Sequence, residues 1–351
     1  LWKKTLRGAE QYQQGSMKIP RSTQEMIPVK HILNDGTFVL DSGEYSKMFA
    51  FTDINYTELR DEEKMRRLVD YSALLNSIDK GIYAKISIFF RPIRQEQFER
   101  DVLIPMNPED ELDDYRENMN TVLREQVRGT LGMTKQAYLT ITAGRRNDED
   151  AAAFFARVEG NLISSFQALG VELRAVPLSE RLRLLHDIYR PGLEETFRYD
   201  AHAEKKLGMN WKDSIAPLSA EALNSCTHLK IGGRYCKTLF LNAYPIYLND
   251  RIVSDIASIG KPMIFTIDFL PIPSAEAMAE AESRSMAIDT KIVNYTLHQQ
   301  RNGNYSGSVP YKLMQRAAGV QEVMEAIQER DQNLYLVTVT VAHFADTREE
   351  L

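Results

Sequence analysis

Apolar positions in the first half of the chain switch between a two-residue spacing and a three-to-four-residue spacing, and the switches mark the elements. Gly36-Thr37-Phe38-Val39-Leu40 and residues 45–51 carry the short period and predict a hairpin closed through Asp41-Ser42-Gly43. From Thr57, a residue suited to an N-cap, Leu68, Tyr71, Leu75 and Ile78 recur at steps of three and four until Gly81. That predicts a helix with one apolar face. A strand at 84–90, an acidic loop, a helix near 112–127 and a strand at 137–142 follow. Asn147 or Asp148 then caps the clearest helix, with Phe155, Val158, Leu162, Phe166 and Leu169 on one face and Gly170 at its end. Residues 171–176 read as the closing strand.

Residues 1–28 are polar, with Pro20 and Pro28 bracketing Arg21-Ser22-Thr23-Gln24-Glu25, and predict an extended or loosely helical arm. Residues 177–233 form a connector with a helix at 179–189 and the stretch Asn210-Trp211-Lys212-Asp213-Ser214-Ile215-Ala216-Pro217. The second unit, 234–351, predicts a strand at 235–241, a helix near 246–259 and a strand at 263–269. A long helix from Ser274 to about Arg301 comes next, then the turn Asn302-Gly303-Asn304-Tyr305-Ser306-Gly307. A helix bearing Leu313, Ala317, Val320, Met324 and Ile327 precedes a strand at 334–341. The two helices around the glycine-rich turn predict an antiparallel hairpin inserted before the last strand.

The second half echoes the first. Tyr45-Ser46-Lys47-Met48-Phe49-Ala50-Phe51 matches Tyr235-Cys236-Lys237-Thr238-Leu239-Phe240-Leu241, and Ile86-Ser87-Ile88-Phe89-Phe90-Arg91-Pro92-Ile93 matches Ile264-Phe265-Thr266-Ile267-Asp268-Phe269-Leu270-Pro271-Ile272. Ala137-Tyr138-Leu139-Thr140-Ile141-Thr142 matches Leu334-Tyr335-Leu336-Val337-Thr338-Val339-Thr340. Asp346-Thr347-Arg348-Glu349-Glu350 stands where the Asn147 helix starts in the first half, and predicts the start of a second such helix. The expected fold is α/β (α+β): an arm at 1–28, a first mixed-sheet unit at 29–176 with helices packed on it, the connector, and a related second unit. That second unit carries the helical hairpin and is truncated at Leu351, as a fragment of a longer protein would be.

Composition narrows the function. The chain has 351 residues, 43% hydrophobic and 26% charged, enough for two ordinary domains with buried cores. A net charge of −6 argues against a general nucleic-acid surface, which needs excess Lys and Arg to displace counterions. Two cysteines do not organise a fold of this length, as expected in a reducing cytoplasm. No segment approaches the roughly 18 uninterrupted apolar residues of a membrane span, and no secretory signal follows Leu1-Trp2-Lys3-Lys4.

Candidate chemistry is sparse. No G-x-x-x-x-G-K-[ST] phosphate loop is present, so Asp268 after the strand of Phe265 and Ile267 has no phosphate or metal to work with. Cys226, His228 and Cys236 fit no zinc spacing. His186 reads as a packing residue, and Gly232-Gly233-Arg234 as a turn. No catalytic, cofactor or metal residue is assigned. Aromatic residues Tyr83, Phe89 and Phe90 on strands leave a single-stranded nucleic-acid module as the alternative.

Several stretches together resemble one family. They are Pro20-Arg21-Ser22-Thr23-Gln24-Glu25-Met26-Ile27-Pro28, Tyr45-Ser46-Lys47 leading to Phe51-Thr52-Asp53-Ile54-Asn55-Tyr56, and Phe154-Phe155-Ala156-Arg157-Val158. Glu180-Arg181-Leu182-Arg183 with His186-Asp187-Ile188-Tyr189-Arg190, the Trp211–Pro217 stretch and Glu329-Arg330-Asp331-Gln332 complete the set. From about residue 19 onward the chain resembles the N-terminal region of the VirB-type (fourth component) and TraC/TraE-type ATPases of conjugal transfer and type IV secretion in bacteria, closest to versions on mobile elements. The resemblance implies a parent ATPase whose RecA-like motor, with its ATP and Mg²⁺, lies outside this segment. It also implies a docking and assembly role for the segment, with inner-membrane secretion subunits and other copies as partners, and a peripheral place on the cytoplasmic face of the membrane. Trp211, Tyr244, Ile246 and Tyr247 are the expected partner-binding surface.

Overall fold

The computed structural model describes residues 20–351 apart from 54–58, 94, 108–109, 127–132, 202–205, 207, 209, 223–226, 243, 245–251, 303–307 and 331. It divides into two compact units. The larger comprises Pro20–Asp70, Ala84–Asp268 and Val337–Leu351; the smaller, among the described residues, comprises Tyr71–Tyr83 and Phe269–Leu336. These units are not the two sequence halves.

The strands are β1 (Val29–Ile32), β2 (Phe38–Leu40), β3 (Glu44–Phe51), β4 (Tyr83–Pro92), β5 (Met133–Gly144), β6 (Leu173–Ala175), β7 (Ala220–Ala222), β8 (Leu229–Ile231), β9 (Arg234–Phe240), β10 (Met263–Ile272) and β11 (Leu334–Ala345). Among the described residues they form one 11-stranded sheet in the order β1-β2-β3-β5-β4-β10-β11-β9-β8-β7, with β6 added against β3. The fold is mixed α+β and the sheet antiparallel. The expectation of two mixed sheets is therefore corrected to one continuous sheet. β4 and β10 lie side by side within it, so neither exposes the row of unpaired amides and carbonyls that a sheet edge leaves.

Six helices surround the sheet strands in sequence: α1 (Asp61–Asn76), α2 (Gln95–Asp101), α3 (Asp113–Gln126), α4 (Asp148–Ala168), α5 (Leu178–Tyr189) and α6 (Ile252–Ala257). α4 starts where its sequence says it should. The Asn147 side chain accepts from the Asp150 amide at 2.8 Å, and three acids occupy the first turn. Gly170 ends it at φ +72°, and an added Cβ there would stand 3.1 Å from the Arg67 guanidinium.

The faces of the sheet separate by residue parity. On β3, Tyr45, Lys47 and Phe51 look toward α4: the Tyr45 hydroxyl donates to Asp148 at 2.8 Å, Lys47 Nζ lies 3.3 Å from Glu159, and the Phe51 and Phe166 rings are 5.4 Å apart. Ser46, Met48 and Ala50 point the other way, toward α5. The α4 face is sealed, with Phe49 and Phe155 fully buried. Farther along that same face, Ile88, Phe90, Met263 and Phe265 form a core cluster against which Met133, Val339 and Val341 pack, together with Val253 and Ile256 of α6.

The smaller unit is built on α7 (Ser274–Arg301) and α8 (Tyr311–Glu329), which pack on each other as the predicted hairpin. Within it the Tyr335 hydroxyl donates to the Leu75 carbonyl at 2.5 Å, and Asn333 bonds Asn76 through its amide and side chain at 3.2 Å each.

Three local expectations change. Cross-strand partners are Tyr45 with Ala143 and Tyr235 with Ala345. With Tyr45 set on Tyr235, Ala143 therefore stands on Ala345 and Met133 on Tyr335, five residues from the Tyr138–Tyr335 match read in the sequence. Five is odd, so the sequence match would also have exchanged the two faces of β11. Residues 346–350 are bends and turn rather than a helix start, and the Asp346 carboxylate sits 2.7 Å from Arg234 Nε. The arm is not wholly loose: Ile27 is buried and residues 20–27 form turns, while residues 1–19 lie outside the described part.

Candidate functional site

Helix α5 positions the most distinctive chemistry of the larger unit, because it is apolar on two sides. Its first side carries Leu178 and Leu182 into a core cluster with Ile27, Val29, Phe38, Trp211 and Ile215. Arg181 enters the same cluster with its guanidinium buried. It donates to the Gly36 carbonyl at 2.9 Å, the Ser46 carbonyl at 2.6 Å and Ser46 Oγ at 2.8 Å, and lies 3.8 Å above the Phe38 ring. Burial pulls its pKa down to about 9, so it stays a cation at neutral pH. The turn it clamps needs Gly36 at φ +83°, where a Cβ would meet the Val176 carbonyl at 2.6 Å. Around it Lys212 donates to the Ile27 carbonyl at 3.0 Å, Gln24 bonds Asp213, and Arg190 donates to the carbonyls of Asp213 and Ala216.

The other side of α5 borders a cleft of about 280 Å³, walled by Phe89, Leu184, Ile188, Met263, Ile264 and Phe344. One ion pair stands in its wall. Arg91 Nη1 donates to Asp187 Oδ2 at 2.7 Å and Nη2 to Gln136 at 2.6 Å, and the Tyr138 hydroxyl donates to the same Gln136 oxygen at 3.1 Å. Glu194, Glu195 and Arg234 also line it, so its apolar walls and charged groups together suit an amphipathic side chain of a partner or a small ligand with an apolar body and a polar end. It holds no nucleophile–base arrangement.

His186 lies behind Asp187, fully buried, edge-on to Phe197 at 5.3 Å, with Nε2 3.4 Å from Thr196 Oγ1. Burial lowers its pKa below the ordinary 6.5, and the nearby Asp187 only partly offsets this. The unfolded chain therefore binds the proton first as pH falls. Stability contributed by the neutral ring is complete above the unfolded value and is lost as pH drops below about 6.5 toward the folded pKa. Urea midpoints measured from pH 7.5 to 5 should fall on the acid side, and more steeply in the wild type than in His186→Gln; parallel slopes would remove His186 as the cause.

Of the four residues expected as a partner-binding surface, Trp211 and Tyr244 are described. Trp211 is a core residue, 8% exposed with its ring 6.2 Å from Phe38, which corrects its assignment as surface. Tyr244 is 43% exposed, and its hydroxyl takes the Val339 amide at 3.0 Å and donates to the Val337 carbonyl at 3.2 Å. Ile246, Tyr247 and Cys226 lie outside the described residues. Cys236 is buried, which pushes its thiol pKa up, and Asp268 pairs with Lys85 at 3.1 Å. Among the described residues no three His, Cys, Asp or Glu side chains converge as metal ligands, and no helix is long and apolar enough to cross a membrane. Sequence reading missed the Arg91–Asp187 pair. Its only trace was an arginine ending an apolar strand and an aspartate on an otherwise apolar helix face.

No protein-family model matches the chain, and no curated protein is similar enough to stand as a relative.

Proposed function

We propose that this chain is a docking and assembly region of a conjugal-transfer ATPase of the VirB/TraC type, binding inner-membrane secretion subunits and other copies of itself on the cytoplasmic side of the membrane. One observation supports this most. Four of the stretches that carry the family resemblance, widely separated in sequence, meet at one place: Ile27 and Gln24 from the first, Ser46 from the second, Arg181, Leu182 and Arg190 from the third, and Trp211 to Ala216 from the fourth. Chance likenesses scattered along a chain have no reason to pack together, whereas a shared scaffold requires it. In this reading nucleotide chemistry belongs to a motor domain of the parent protein.

We also read the sheet as two related copies of one unit. Strand order supports it: outward from the central β4 and β10, the sequences β5-β3-β2-β1 and β11-β9-β8-β7 run in matching order. The echo Ile86, Ile88, Phe90 and Phe265, Ile267, Phe269 supports it too, since Ile86, Ile88, Phe90, Phe265 and Ile267 all join one cluster on the α4 side of the sheet.

The chain alone is expected neither to bind nor to hydrolyse ATP, and to be retained by inner-membrane subunits of its own secretion system when co-expressed in detergent. Calorimetric ATP affinity, or no retained subunit, would contradict the assignment. The genomic sequence adjoining this segment should encode a phosphate loop in the same reading frame.

A further inference from the structure

The two halves of the sheet differ in how well the α4-side face is covered. In the first half that face is shut: Tyr45 is 7%, Lys47 8%, Phe49 0%, Leu139 3% and Ile141 1% exposed. Its counterparts follow from the pairing register, Leu239 opposite Val341 as Phe49 is opposite Leu139, and Lys237 opposite His343 as Lys47 is opposite Ile141. Val339 and Val341 are among the residues packed on the α4-side cluster, so Leu239, beside Val341, shares that face. Here Leu239 is 54% exposed where its counterpart Phe49 is fully buried. Lys47 is held between Asp35 and Glu159, at 3.4 and 3.3 Å. Among the described residues, no carboxylate pairs with Lys237.

An apolar strand face with a lysine in its middle is poorly suited to water, and the first half shows the cover that chemistry selects. Resting on the duplication proposed above, we infer that the β9 face carrying Lys237 and Leu239, bordered by the half-buried Val341, docks an amphipathic α-helix of the α4 kind. Its occupant has an acidic first turn, a phenylalanine-bearing apolar stripe and a glutamate that meets Lys237 as Glu159 meets Lys47. The electrostatic match gives the register and the apolar stripe gives the affinity.

The test uses the 351-residue protein and a labelled peptide of residues 147–169, followed by fluorescence anisotropy. Saturable binding is expected. It should weaken about tenfold or more in Lys237→Glu and in Leu239→Asp, since each removes a central contact. A Glu159→Lys peptide should bind Lys237→Glu better than it binds the wild type. Both protein variants alter exposed or half-exposed positions, and unchanged circular dichroism and urea midpoints will show that they fold. A second peptide, an acidic amphipathic helix of the same length with no α4 sequence, separates the premises. If only this unrelated helix binds, and does so through Lys237 and Leu239, the internal equivalence with α4 is overturned. No saturable binding of either peptide up to about 1 mM, or binding indifferent to both variants, overturns the docking face.

Discussion

Replacing Arg181 by methionine should lower the stability of the larger unit by about 2 to 4 kcal/mol, although methionine has nearly the same reach and no charge to bury. Three acceptors, the Gly36 and Ser46 carbonyls and Ser46 Oγ, lose their donors inside a core where no water replaces them. Each unmet acceptor costs about 1 to 3 kcal/mol, and relief from holding a buried cation offsets part of the sum. Lysine should rescue little, because an ammonium on a flexible stem cannot present the planar fork that reaches two backbone carbonyls and a hydroxyl together or stack on Phe38. Equilibrium urea unfolding measures this directly. A midpoint shift worth less than about 1 kcal/mol at unchanged slope would mean the clamp is not energetically coupled to the fold.

Truncating Trp211 to alanine should cost about 3 to 5 kcal/mol, and phenylalanine should recover most of it. The indole joins Ile27, Phe38, Leu182 and Ile215 in one cluster, so its removal opens a cavity bordered by four separate chain segments. Limited proteolysis should then cut near residues 20–28 first, because that turn is held to the connector through Lys212 and Asp213. Had Trp211 been a docking residue, the alanine variant would lose partner binding while keeping its urea midpoint. The geometry predicts the reverse order: loss of fold first, with any loss of binding as its consequence.

Much of the architecture was legible in the residues. Apolar spacing located α4 because Phe155, Leu162 and Phe166 recur on one face and Asn147 caps it, and all three are buried as that spacing requires. The hairpin of β2 and β3 and the helical pair α7 and α8 followed from turn residues and period in the same way. The register of β5 and β11 did not, since it is set by their pairing with β3 and β9, which lie far away in the chain. Trp211 was misplaced for a related reason: a large aromatic in a polar loop reads as surface until the segments that bury it, from as far away as Ile27, are brought alongside. Arg91 and Asp187 lie 96 residues apart, and nothing local marks them as partners.

The sequence by itself determined the elements, because helix caps, glycine stops and hydrophobic period are local properties that each segment carries. Only the tertiary structure decided the single continuous sheet, the burial of Arg181 and Trp211, and the exposure of Leu239. Those depend on which segments come to lie side by side, and so on free energies of burial and pairing that no isolated stretch of chain possesses.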